Sequence, residues 1–185
     1  MKVIGIRGTN GSGKTWVARK IMEHADAGFK TKYKLDNGVL VNVYDKFVIL
    51  GSYDRACGGC DTISKPSIAM DAVVECAAYT NVIFEGILVG TVYQPTIDMM
   101  ARLNPLGATY IPICLNTEFD QCIANINSRR AVAGKAALEG LENVETNWKK
   151  HLSSAKKFHA DNLKPYWVSS EEAVQIILEE LGYSC

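Results

Sequence analysis

Neither charge sign is in excess in this chain. Twenty lysines and arginines stand against twenty aspartates and glutamates, so the formal net charge is zero. The global electrostatic footprint of a nucleic-acid binder is therefore missing, although a local basic surface remains compatible with the balance. Long apolar runs are missing too. The stretch from Ile68 to Phe84 is interrupted by Asp71, Glu75 and Asn81, which excludes a membrane-spanning helix there. A strand-like segment already begins at Lys2, leaving no room for a cleavable leader, so no membrane role is expected and the cytoplasm is the expected compartment. Histidine is scarce: His24, His151 and His159 share no ligand spacing and are read as ordinary surface or partly buried residues. Among the six cysteines only Cys57-Gly58-Gly59-Cys60 has a ligand-like interval. No second pair or spaced histidines complete a four-ligand zinc site, so these thiols are read as small residues of a tight turn in a reducing compartment. Repeats, linkers and low-complexity tracts are absent, and nothing fixes an oligomeric state.

What is present begins with Gly8-Thr9-Asn10-Gly11-Ser12-Gly13-Lys14-Thr15, which spells G-x-x-x-x-G-K-[ST]. The β-branched run Lys2-Val3-Ile4-Gly5-Ile6 precedes it, and the helix-forming Trp16-Val17-Ala18-Arg19-Lys20-Ile21-Met22 follows. Strand, glycine loop and helix stand in the order a phosphate cradle requires. Backbone amides of the loop can converge on an anion, and a helix N-terminus adds partial positive charge. Lys14 is then expected to reach the β- and γ-phosphates of ATP, and Thr15 to ligate Mg²⁺.

The remainder alternates strand and helix. Lys32–Leu35 and Val39–Tyr44 flank Asp36-Asn37-Gly38, predicting a hairpin around an Asn-Gly turn within an inserted β-ribbon over about 30–46. Further strands are predicted at Phe47–Gly51, Asn81–Glu85, Thr109–Leu115 and Tyr166–Val168. Pro112 argues that the segment Thr109–Leu115 is distorted or only partly paired. Helices are predicted after Ser64-Lys65-Pro66, with Ser64 as cap, at Gln94–Leu103, Glu118–Asn127 and Glu145–Ala160, and from a capping Ser169 to Leu181. At 185 residues, 48% of them apolar, the chain suits one domain, 1–185, with a three-layer α/β sandwich and a mainly parallel sheet.

Three places concentrate chemistry. Glu85 ends an apolar strand and precedes Gly86, a position from which an acid beside a phosphate loop helps to place Mg²⁺ or the attacking group. The loop Gly51–Thr62 gathers Tyr53, Asp54, Arg55 and Asp61 among glycines, and either aspartate could accept a proton from an attacking hydroxyl. The segment 126–140 carries Arg129-Arg130 before small residues and Gly134, the composition of a lid whose guanidinium neutralises charge on the transferring group. On the predicted helix 145–160, Lys149, Lys150, Ser153, Lys156 and Lys157 share one arc opposite Trp148, Leu152, Ala155 and His159. With Lys30, Lys32 and Lys34 of the hairpin, they could track a phosphate backbone.

The combination Gly51-x-Tyr53, Cys57-Gly58-Gly59-x-Asp61-Thr62 and Phe84-Glu85-Gly86 resembles the 5-hydroxymethyluridine DNA kinases of tailed phages. The likeness covers the phosphate loop through Gly86. It implies a P-loop NTPase of nucleoside-monophosphate-kinase-like architecture. The implied reaction is transfer of phosphate from ATP, with Mg²⁺, to the base hydroxymethyl group in phage DNA, a step towards hypermodified thymidine. It also makes Asp61 rather than Asp54 the preferred base. A kinase of a free nucleoside or nucleotide would share the ATP-side residues, and a nucleotide-dependent ATPase switch would share the loop alone.

Overall fold

Val3, Ile4 and Ile6 alternate between the two faces of a strand that is paired on both sides. This strand, β1 (Lys2–Arg7), lies in the interior of the sheet. The structure, a computed structural model, describes residues 1–54 and 58–184, the side chains of Thr62 and Leu88 excepted. β1 pairs in parallel with β5 (Asn81–Glu85) and β6 (Thr109–Leu115), β5 with β4 (Phe47–Leu50), and β6 with β7 (Tyr166–Val168). β2 (Phe29–Lys34) and β3 (Leu40–Tyr44) form the expected hairpin. It continues the sheet, because β3 pairs antiparallel with β4. The order is β2-β3-β4-β5-β1-β6-β7 in one sheet of seven strands. β7 pairs only with Ile113–Leu115. Pro112, which has no N–H to give, therefore lies just before the segment that is paired on both sides.

Side-chain alternation divides the core in two. Ile4, Ile6, Phe47, Ile49 and Ile83 meet Val17, Ala18 and Ile21 of α1 (Lys14–His24) and Ala173 and Ile177 of α7 (Ser170–Glu180). Val3, Val41, Val48, Leu50 and Val82 meet Ala69, Met70 and Val73 of α2 (Pro66–Ala77) and Met99 and Leu103 of α4 (Gln94–Leu103) on the other face. A Val, Leu, Ile, Phe or Met side chain that is fully buried contributes about 1.5–3 kcal/mol. Helices on both faces make the expected three layers. α7 opens with the expected capping box of Ser169 and Glu172. α2 does not use Ser64: its cap position is Lys65, without a side-chain cap, and Pro66 opens the helix. The short α3 (Ile87–Thr91), directly after β5, was not foreseen, because five residues are too few for a periodic pattern.

α5 (Phe119–Val132) and α6 (Glu142–Ala160) flank the end of β6. α6 buries a different stripe from the one its apolar residues indicate. Val144, His151, Ser154, Ala155 and Phe158 face inward, whereas His159 is exposed and the lysine arc is solvated. The polar members of this stripe have partners. Arg7, 1% exposed, donates to Ser154 Oγ (2.9 Å), the Val92 carbonyl (2.7 Å) and Thr96 Oγ1 (3.1 Å), and its guanidinium lies over the Phe158 ring. Burying a charge is tolerable only with such a set of acceptors.

His151 corrects the expectation of an ordinary surface or partly buried residue, since it is fully buried. It donates Nε2–H to the Leu115 carbonyl at 3.0 Å and stacks on Trp167, while Nδ1 has no partner among the described residues. Burial above all pushes its pKa down to about 4, and the charges of Arg7 and Lys14 push the same way. The unfolded chain therefore binds the extra proton first. Stability contributed by neutral His151 is complete above pH ~6.5 and is lost as pH falls towards 4, on the order of 3 kcal/mol in all. Urea unfolding at pH 7 and pH 4 is expected to show a larger loss for the wild type than for His151→Gln, which stays neutral throughout.

Candidate functional site

β1, β4 and β5 run in parallel and in register, so their carboxyl ends share one edge of the sheet. Ligands of open α/β sheets bind outside that edge. A cleft of about 1130 Å³ lies there, and its lining includes Asn10–Trp16 and Arg19 around the glycine loop, Asp61 and Ile87 on one side, and Asn116–Glu118, Arg129 and Ser169–Glu171 on the other.

The loop is built to leave donors free. Gly13 takes φ 99° at the N-cap of α1, a left-handed conformation that disfavours a side chain, and no side chain caps the helix. The first amides of α1, including those of Lys14 and Thr15, have no acceptor within the helix and open toward the cleft. Such an end suits a phosphate group. Lys14 is not in an exposed loop as its sequence position indicates. It is 5% exposed, and Nζ donates to the Thr9 carbonyl at 2.9 Å, inside the curl of the loop. Asn10 is held by Asn147 of α6 at 3.1 Å, and Ser12 Oγ bonds back to the Thr9 carbonyl at 2.9 Å. The Gly8–Thr15 loop is thus shaped by its own side chains and by α6.

Glu85 lies under the loop, fully buried. Thr15 Oγ1 donates to Glu85 Oε1 at 3.0 Å, and Oε2 has no partner among the described residues. Burial first of all raises its pKa to about 7. Lys14 opposes the shift, and the charge of Asp61 adds to it. A buried carboxylate oxygen without a donor, beside a hydroxyl that can turn its lone pairs outward, is the donor set a hard cation takes. Thr15 and Glu85 therefore fit Mg²⁺. No group of three or more acids, histidines and cysteines gathers for a metal among the described residues, so the remaining ligands of such an ion would be phosphate oxygens and water.

Asp61 borders the same cleft, where its Oδ1 accepts the Ile87 N–H at 2.6 Å at the start of α3. Asp54 is elsewhere. It is exposed, forms an ion pair with Lys32 (2.9 Å), and its pKa is lowered by that bond and charge. The two aspartates left open by sequence are thus separated by geometry. Arg129 and Arg130 separate as well. Arg129 lines the cleft, whereas Arg130 Nε donates to the Ala136 carbonyl at 2.6 Å in the turn that follows α5. The first part of the expected lid is helix, since α5 continues to Val132. Arg55 and Cys57 lie outside the described residues. Cys60 is a free, buried thiol whose pKa burial raises, which keeps it protonated.

Arg19, Trp16, Asn116, Thr117 and Ser170 were not singled out in the sequence. Arg19 could have been, since it follows Thr15 by four residues and so shares its helix face. Asn116 and Ser169 each follow a strand, where crevice residues of parallel sheets stand.

A glycine loop, a buried carboxylate and a cleft at the carboxyl edge of a mostly parallel sheet define an α/β phosphotransferase, a kinase. The chain belongs to the 5-hmdU DNA kinase family, whose model matches residues 2–166. It is 32% identical to a 5-hmdU DNA kinase of Pseudomonas phage PaMx11 over 171 residues, 86% of each chain. It is 25% identical to one of Pseudomonas phage M6, covering 98% of this chain and all of the relative. It is 24% identical to one of Delftia phage PhiW-14, covering 84% of this chain and 63% of that protein.

Gly59 holds the site closed from above. Its φ is 69°, and a Cβ there would meet Glu85 Oε1 at 2.5 Å. Gly59→Ala is expected to displace Glu85 and cost about 1–3 kcal/mol of stability through backbone strain. A melting temperature equal to wild type would show that the contact is not held.

Proposed function

We propose that this chain is a single-domain P-loop kinase of nucleoside-monophosphate-kinase-like architecture, acting in the host cytoplasm. It transfers the γ-phosphate of ATP to the hydroxymethyl group of 5-hydroxymethyluridine in phage DNA. The observation that carries this reading is the convergence of Lys14, Thr15 and Asp61 on one cleft, with Glu85 buried beneath and bonded to Thr15, in a member of this family. The reaction joins the hydroxymethyl oxygen to the γ-phosphorus and breaks the bond to the β-phosphate bridging oxygen, releasing ADP. The loop amides and Lys14 hold the β- and γ-phosphates, and Arg129 approaches them from α5. Mg²⁺, held through Thr15 and Glu85, would offset charge on the phosphate oxygens. Asp61, fixed through Ile87, takes the proton from the hydroxymethyl group on its free oxygen. Its second role is positional, because the bond to α3 aims it across the cleft.

Labelled ATP, offered with hydroxymethyluridine DNA, with the free nucleotide, or without acceptor, tests the reading directly: label is expected in the DNA. Asp61→Asn is expected to lower turnover ~10²–10⁴-fold with little change in ATP binding, and Asp54→Asn to leave the chemical step unaffected. Lys14→Ala is expected to abolish transfer in DNA assays while the chain still unfolds cooperatively. Near-wild-type turnover in both Asp61→Asn and Lys14→Ala would contradict the assignment.

A further inference from the structure

A second cleft of about 600 Å³ lies on the same edge of the sheet, at the turn end of the hairpin. Its position follows from register. Lys34 pairs with Leu40, Val41 with Leu50, and the Gly51 N–H donates to the Leu40 carbonyl at 2.8 Å. The end of β2 is therefore level with the carboxyl end of β4, four strand spacings from β1. At ~4.8 Å per spacing, this places it about 19 Å from the phosphate loop. The 51–62 loop contributes lining residues to both clefts. Ser52 and Gly59 pinch it shut at its base with reciprocal backbone bonds of 2.9 and 3.3 Å. Ser52 and Asp54 face the second cleft, Asp61 the first.

The charges in this second cleft are unequal. Lys32 and Lys34 both line it, with Asn37 and Ser64 beside them. Lys32 is held by both oxygens of Asp54, at 2.9 and 3.1 Å. Lys34 has no ion pair or hydrogen bond among the described residues. Lys30, the third lysine of the hairpin, is outside the cleft and bound to Asp45 at 2.7 Å. On the rival surface of α6, Lys149 is paired with Glu145 and Lys157 lies over the Tyr93 ring. That surface is a convex helix face, whereas the second cleft is concave and adjoins the acceptor side of the first.

We infer that the second cleft receives the sugar–phosphate backbone of the acceptor DNA a few nucleotides from the modified base. In this role Lys34 is the standing phosphate contact, and Asp54 is an internal competitor that occupies Lys32 until a phosphate displaces it. The inference rests on the DNA-kinase reading above and deepens it. It gives Asp54 a function in place of the proton transfer its sequence position allows. It also gives two neighbouring residues opposite signs. Loss of Lys34 weakens DNA, and loss of the Asp54 charge tightens it, because the cleft loses a repulsion and gains a free Lys32.

The test is a salt titration of binding to a single-stranded oligonucleotide containing 5-hydroxymethyluridine, read by fluorescence anisotropy. It is paired with phosphorylation of that oligonucleotide and of the free 5-hydroxymethyluridine monophosphate. Lys34→Gln is expected to weaken oligonucleotide binding several-fold and to flatten the log–log salt slope by about 0.7, with phosphorylation of the free nucleotide unchanged. Asp54→Asn is expected to tighten the oligonucleotide several-fold. Lys30→Gln serves as the matched control, with a smaller effect than Lys34→Gln. All three positions are exposed, and an unchanged melting temperature verifies the fold of each variant. An unaltered slope in Lys34→Gln, weaker binding in Asp54→Asn, or a slope that responds instead to Lys150→Gln with Lys156→Gln overturns the inference. If the wild type phosphorylates hydroxymethyluridine DNA in that case, the DNA-kinase reading stands without it. If the wild type phosphorylates neither acceptor, the DNA-kinase reading itself fails, and the inference with it.

Discussion

Everything at the candidate site depends on a carboxylate kept away from water. Glu85 ends the central β5 under the glycine loop, and its environment raises its pKa to about 7. Its two oxygens have different surroundings. Thr15 donates to one oxygen, Gly59 presses its backbone over the side chain, and the other oxygen is left without a donor among the described residues. A site of this kind favours a cation over water. It also explains the glycines of the 51–62 loop, because a Cβ at Gly51 or Gly59 would collide with backbone or with Glu85. The 51–62 loop and the Gly8–Thr15 loop are thus packed on the same carboxylate.

α6 supplies the second constraint, from the opposite side. A stripe of Val144, Asn147, His151 and Ser154 touches, in turn, the Thr9 hydroxyl, the Asn10 side chain, the end of β6 and Arg7. These spacings follow the helix repeat, so a single rigid helix spans the loop from its first residues to the strand that precedes it. A phosphate loop must be pre-shaped to hold its ligand without further ordering cost. Here that shape is fixed by a helix more than 130 residues further along the chain. Asn147 and Ser154 each have a hydrogen-bond partner, and His151 has one at Nε2. Their replacement would leave buried donors or acceptors exposed to no solvent.

The edge of the sheet also organises the acceptor side. Because the hairpin extends the same sheet, Lys34 at the end of β2 lies level with the carboxyl end of β4, and not on a separate flap. The 51–62 loop can therefore present Asp61 to one cleft and Asp54 to the other. Two acids seven residues apart are divided by the backbone pinch of Ser52 and Gly59.

Strand runs, the Asn-Gly turn, the glycine loop and the Ser169 capping box were legible in the sequence because each is written in neighbouring residues. Local sterics and hydrogen bonds decide such features, whatever the rest of the chain does. Glu85 was legible for the same reason, as an acid at the end of an apolar run. Partnership between distant segments was not. Asp54 and Asp61 are equivalent as residue types, and Arg129 and Arg130 are adjacent; only packing shows that one of each pair faces the cleft. The buried stripe of α6 was misread because His151, Ser154 and Asn147 are polar, and their burial makes sense only against Arg7, Leu115 and Asn10. Sequence determined which elements form and where a phosphate could sit. Tertiary structure decided which side chains share that place, since burial and hydrogen-bond partners are properties of neighbours far apart in the chain.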